Sequence, residues 1–280
     1  DLALAQFDAA LQIKPDLIEA EILRIFAHLS KQQFDAALQA IATFKTRHPK
    51  NPVPDALAAS AYVGKKDYAR ARQALEQSLA LDSKYFPARV ALARLALTQN
   101  DPATARRHYQ DILKQDPAHL DSLLALATLE VRAGKPKESM AWLEKARQKH
   151  PKALAPALLL INAHLQNNEP LKALALARDT RSEHPTDPGA LQALARSQLA
   201  AGETSSALAS FRTLAEQLPK SAQIHHLLGM AYLKAQDAKA ALVGRVVRRG
   251  AETLQLSGRD RQRRQRRSAR RVARRTNGGR

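Results

Sequence analysis

Cysteine is absent from this 280-residue chain, so neither a disulfide framework nor a thiolate metal site is possible. That absence says nothing about compartment. Aromatic residues are scarce, at 4%. Alanine and leucine carry the apolar fraction instead, which favours close-packed helices over strands. The longest apolar run, 153–161, is interrupted by Pro156 and is far too short to span a bilayer. Motifs that carry chemistry are missing as well. There is no Gly-rich phosphate loop, no nucleophile elbow and no HExxH sequence. The nine histidines do not replace them. His48, His150 and His184 each precede a proline, far apart along the chain. His225 and His226 are adjacent and point to different helix faces, so they cannot chelate as an i, i+4 pair could. His164 shares a column with Tyr62 and Tyr232 and is expected to pack. The carboxylates are dispersed, where solvation and helix capping account for them. No catalysis, no cofactor and no metal site are expected, and a small-molecule substrate is not implied.

What the chain does contain is a period. Prolines stand at Pro15, Pro49, Pro117, Pro151, Pro185 and Pro219, at intervals of 34 residues except for one of 68 whose midpoint is Ser83. The stretch 120–151 shows what repeats: two helical patterns, broken at Gly134 and Lys135, the second opening on Pro136. Proline suits a first helical turn, where its missing N–H had no partner. Twenty-two residues after each closing position stand Ala37, Ala71, Ala105, Ser139, Ala173, Ala207 and Ala241. A small side chain there lets the second helix lie close against the first. Ile25, Ala59, Ala93, Ala127, Ile161, Ala195 and Gly229 form a second such column. Ala58, Leu92, Leu126, Leu160, Leu194 and Leu228 precede it by one position. Arg24 breaks that last column, so the first full repeat is expected to be shifted in register or imperfectly packed. Asp67, Asp101, Glu169, Glu203 and Asp237 precede the second helices, where a carboxylate can accept orphan N–H groups. Pro102, Pro136 and Pro170 follow at one shared position.

These columns place the second helix of an incomplete repeat at 1–14. Six full repeats then begin near Ile18, Pro52, Phe86, Leu120, Leu154 and Pro188, and a seventh near Ala222. The seventh fails in its second helix: Arg245 and Arg248 fall where apolar and small residues belong. Its Leu227, Leu228 and Tyr232 are expected to be left uncovered.

A 34-residue period of helix pairs is the tetratricopeptide signature, and residues 1–243 resemble that family. The resemblance implies an all-α right-handed solenoid of stacked antiparallel helix pairs, acting as a scaffold that binds a protein or peptide partner. Phrases such as LLALATLEVRAGKPKESMAWLEKARQKHP and LARSQLAAGETSSALASFRTLAEQLPKSAQIHHLLGMAYLKAQD are similar to the TPR-repeat lipoprotein of the PEP-CTERM/exosortase system. That likeness implies a cell-envelope protein, periplasmic or outer-membrane-associated, near protein sorting and exopolysaccharide export. The chain opens at Asp1 inside a helical pattern, without an initiator Met, a signal peptide or a lipidation motif. It reads as a fragment whose start lies upstream.

In such an array the first helices line a concave groove. The groove columns run Ile22, Ala56, Val90, Leu124, Leu158, Gln192, His226 and Phe26, Ser60, Arg94, Thr128, Asn162, Arg196, Met230. A mixture of that kind suits an extended peptide or an amphipathic helix. The competing reading is that many of these side chains only pack between repeats. The candidate binding residues are Arg94, Thr128, Arg132, Asn162, Gln192, Arg196 and His226. The first column holds no lysine, which argues against the co-chaperone type of carboxylate grip.

The formal charge of +19 divides unevenly. Residues 244–280 hold 14 Arg and no Lys against Glu252 and Asp260, a net of +12; residues 1–243 carry the other +7. A run this basic would attract nucleic acid or anionic head groups and is expected to be disordered when free. The abrupt loss of lysine also fits a frameshifted end, which the coding DNA after codon 243 decides. A third reading is an interaction module cut from a larger enzyme.

Overall fold

In a computed structural model, residues 2–235 are described, and every regular element among them is an α-helix. The Arg-rich segment, Asp237, Ala241 and the second helix of the seventh repeat lie outside the described residues. The chain divides at His150 and Pro151 into two compact units. The first holds α1 (Leu2–Ile13), α2 (Ile18–Ser30), α3 (Phe34–Arg47), α4 (Val53–Gly64), α5 (Tyr68–Leu81), α6 (Phe86–Thr98), α7 (Pro102–Gln115), α8 (Leu120–Arg132) and α9 (Pro136–Lys149). The second holds α10 (Leu154–Gln166), α11 (Pro170–Glu183), α12 (Pro188–Ala200), α13 (Thr204–Gln217) and α14 (Ala222–Lys234). Within each unit a first helix packs on the second helix of its own repeat, and that second helix packs on the first helix of the next. The fold class is an all-α TPR solenoid.

The small columns are spent entirely on packing. Ala37, Ala71, Ala105, Ala173 and Ala207 are completely buried, and Ser139 is 2% exposed. Ile25, Ala59, Ala93, Ala127, Ile161 and Ala195 are equally buried on the first helices. With no side chain beyond a methyl at most of these crossings, Phe44, Leu75, Ile112, Leu126 and Phe211 fill the space between layers. The helix starts expected near Ile18, Phe86, Leu120, Leu154, Pro188 and Ala222 are the observed ones; Pro52 caps a helix that begins at Val53.

Arg24 needs no shift of register. Ile25 beside it is fully buried, and the guanidinium reaches back 3.1 Å to Asp8 of α1. The acidic column before the second helices requires a correction. Asp67 and Asp101 do cap, accepting from the N–H of Arg70 and of Thr104. Glu169 and Glu203 occupy the same position and make no capping bond. One methylene longer, their carboxylates meet side chains instead: His164 and Lys172 around Glu169, and Arg178 at Glu203. Hydrogen bonds from Lys172 and then His164 hold the Glu169 carboxyl below the usual carboxylate range. His164 is thus packed, as its column suggested, and also hydrogen-bonded.

The turns between paired helices share one backbone device. Gln32, Lys66, Asn100, Gly134, Asn168 and Gly202, spaced by 34 residues, all have φ between 57° and 86°. The following N–H reaches back to close a Schellman turn, as in Gln33 to the His28 carbonyl and Lys135 to the Glu130 carbonyl. Glycine and asparagine tolerate this left-handed conformation. Glutamine and lysine pay about 1–2 kcal/mol for it, against roughly 0.5–1 kcal/mol of chain entropy that glycine would lose. Lys66→Gly is expected to raise unfolding stability by about 0.5 kcal/mol, read as a higher urea midpoint at unchanged slope. A lowered midpoint would mean that the lysine side chain contributes more than its strain costs.

Candidate functional site

The two groove columns separate by burial. Ile22, Ala56, Val90 and Leu124 in the first unit, and Leu158 and Gln192 in the second, are half-buried. The first four pack against the hydrophobic clusters of their repeats, so this column serves the stack before it serves a ligand. Only His226 in it is exposed. The second column faces outward. Phe26, Ser60, Arg94 and Thr128 in the first unit, and Arg196 and Met230 in the second, are exposed, and Asn162 is half-buried.

These side chains differ in how free they are. Tyr109, only 4% exposed, lies beneath Arg94; burial pushes that phenol up while the Arg94 guanidinium pulls the other way. Arg94 itself is exposed, and its guanidinium carries five donors. Thr128 has already given its hydroxyl hydrogen to the Leu124 carbonyl, 2.9 Å away, and offers a ligand an acceptor and a methyl group. Arg196 donates to the Asn162 side-chain oxygen at 3.3 Å, so two of the expected residues form one polar pair on successive first helices. Leu23 and Phe26 in the first unit, and Leu159, Met230 and Leu233 in the second, are each about half exposed. Within each unit the first helices thus offer a guanidinium and apolar side chains together.

Arg132 stands elsewhere. It lies at the last turn of α8 and lines a cleft at the turn edge of the stack with Leu97, Asn100, Pro102, Arg106 and Leu129. Of the uncovered residues expected on α14, Leu227, Leu228 and Tyr232 are half-buried. Tyr232 also accepts from Arg212 Nε at 2.8 Å.

Three buried carboxylates are absent from the sequence-level picture of dispersed, solvated acids. Glu21 is 1% exposed and accepts from Arg47 at 3.0 Å; Asp55 is 4% exposed and accepts from Lys45 at 2.6 Å. Glu130, also 4% exposed, is paired with Arg106. Asp55 and Glu130 tie a first helix to the preceding second helix, whereas Glu21 ties α2 to α3, the second helix of its own repeat; each cation keeps contact with solvent. They are ties between helices. Among the described residues no three His, Asp or Glu side chains converge on a common point. No described helix is long and apolar enough to cross a membrane.

Tetratricopeptide-repeat profiles match residues 56–85, 90–154 and 164–231. Together these ranges cover more than half of the chain. No curated protein matches it. Among solved structures, the C-terminal part of a TPR repeat-containing protein from Cytophaga hutchinsonii superposes with a TM-score of 0.62 at 14% identity, covering 82% of this chain and 94% of that one. PilF of Pseudomonas aeruginosa gives 0.54 at 18% identity, over 69% and 88%. The APC/C hetero-tetramer Cut9–Hcn1 gives 0.56 at 13% identity over 89% of this chain, which spans about half, 49%, of the length of that one. At these identities the likeness is one of fold. The 34-residue columns, the helix pairs and the three profile matches together make this chain a member of the tetratricopeptide repeat family.

Proposed function

We propose that this chain is a non-catalytic scaffold that binds an extended peptide or amphipathic helix along the exposed face of its first helices. One observation carries the reading. The buried columns hold the same residue types repeat after repeat, whereas the exposed column changes from Phe26 to Ser60, Arg94 and Thr128 within the first unit. A surface that packing leaves free to vary, on a framework that packing holds constant, is how a repeat protein encodes a partner. Tetratricopeptide repeats are in general protein-interaction scaffolds, and the Cut9–Hcn1 neighbour is itself a hetero-tetramer.

The setting we propose is the bacterial cell envelope, in the periplasm or at the outer membrane, beside a PEP-CTERM/exosortase and exopolysaccharide system. The phrases in 120–151 and 194–237 support it. The partner is a protein there. The test is capture from envelope extract with the full chain, compared with a chain carrying Arg94→Glu and Arg196→Glu. Reversing two exposed guanidiniums should weaken retention of a specific partner about tenfold or more. Equal retention by both chains would remove the first-helix face from the account.

A further inference from the structure

The cleft at the turn edge recurs between successive repeats of the first unit, and its filling changes. Between the first two full repeats, the ring of Phe34 at the start of α3 lies over Gly64 at the end of α4. A Cβ at Gly64 would collide with ring atoms Cε1 and Cζ. Asp35 and Lys65 close the same cleft with an ion pair. One repeat on, Tyr68 takes the position of Phe34 and is partly buried against the core, while Arg72 spans the cleft to the Gln99 side chain at 2.8 Å. One repeat further, the aromatic position is Pro102 and the Gly64 position is Arg132. No ring is supplied there. The result is a cavity of about 400 Å³ walled by Leu97, Pro102 and Leu129, with Asn100, Arg106 and Arg132 among its lining residues.

The charges in this third cleft are unequal. Arg106 is committed to the buried carboxylate of Glu130, which fixes its guanidinium and neutralises the acid. Arg132 is exposed and has no carboxylate partner among the described residues. A planar, weakly hydrated guanidinium beside apolar walls can stack on an aromatic ring and bind a carboxylate bidentately. Asn100, held at φ 58°, can meet a peptide backbone with its amide.

We propose that this cleft is a second docking site, which takes an aromatic side chain flanked by carboxylates from an acidic peptide segment of a partner. The ring occupies the place that Phe34 fills two repeats earlier, and the acidic neighbour pairs with Arg132. The site lies at the ends of helices rather than on the first-helix face, and does not depend on that face binding anything.

The test uses the full chain and a fluorescent, end-blocked peptide, acetyl-Ser-Glu-Phe-Asp-Ser-amide. Saturable binding is expected, weakened about tenfold by Arg132→Glu and by replacing the peptide phenylalanine with alanine. A chain carrying both Pro102→Phe and Arg132→Gly rebuilds the first cleft in the third and should lose binding while keeping its helical circular dichroism. The pair Arg94→Glu and Arg196→Glu should leave this binding unchanged. Binding that tolerates Arg132→Glu, or that ignores the loss of the ring, would show simple attraction to the basic C-terminal segment and overturn the proposal. So would a failure to bind.

Discussion

Phe211→Ala is expected to cost about 4 kcal/mol of stability. The ring is completely buried in the cluster that also holds Leu191, Ala195, Ala207, Leu214 and Ile224. It is one of the largest side chains in the chain with no solvent exposure. Its removal forfeits transfer energy and leaves a cavity between α12, α13 and α14 that helices pinned by Ala195 and Ala207 cannot collapse to fill. A repeat array couples neighbours, so the loss should fall locally. Amide exchange should accelerate most in α12–α14, and the urea midpoint should drop. Leu171→Ala, at a position 72% exposed, should do neither. Equal effects from both substitutions would mean that the layer around Phe211 is not packed as described.

Ala105→Leu probes the opposite error, too much volume. Ala105 is fully buried on α7, in one cluster with Ala93, Ala96 and Leu123. Three extra carbons have no space there, so the α6–α7 pair must separate. The expected cost is about 3 kcal/mol. Ala103 on the same helix is exposed, and Ala103→Leu should stay within about 0.5 kcal/mol of the parent chain. Thermal unfolding of the two variants distinguishes them. If Ala105→Leu melts with the parent, close packing at the small column is not what sets the 34-residue repeat.

Much of the fold was legible because it is written in columns. A methyl-sized residue every 34 positions has one physical reading, and Ala37 through Ala207 are buried accordingly. Other features were hidden for equally physical reasons. The left-handed turn position is glycine or asparagine at Asn100, Gly134, Asn168 and Gly202, but Gln32 and Lys66 conceal it. The buried acids depend on partners in another helix, 26 residues on for Glu21 and Arg47 and 24 for Arg106 and Glu130. Periodicity alone does not reveal such pairing. Capping by Glu169 and Glu203 failed on side-chain length. Arg132 sits near the groove columns in sequence, yet the end of α8 places it at the turn edge. There, what matters is whether the next helix starts with an aromatic ring or with Pro102. On the first helices, the exposure of Arg94, Thr128 and Arg196 followed from the columns. The Arg196–Asn162 pair did not, because it is a contact between helices.

On the function proposed above, partners are held by the first helices. That is tested most directly by photo-crosslinking from single sites in the full chain, mixed with envelope extract. A crosslinker at Ser60 or Thr128, on the first-helix face, should capture one and the same protein; a crosslinker at Glu76 or Lys145, on second helices, should not. Capture from Glu76 or Lys145 alone would contradict the claim.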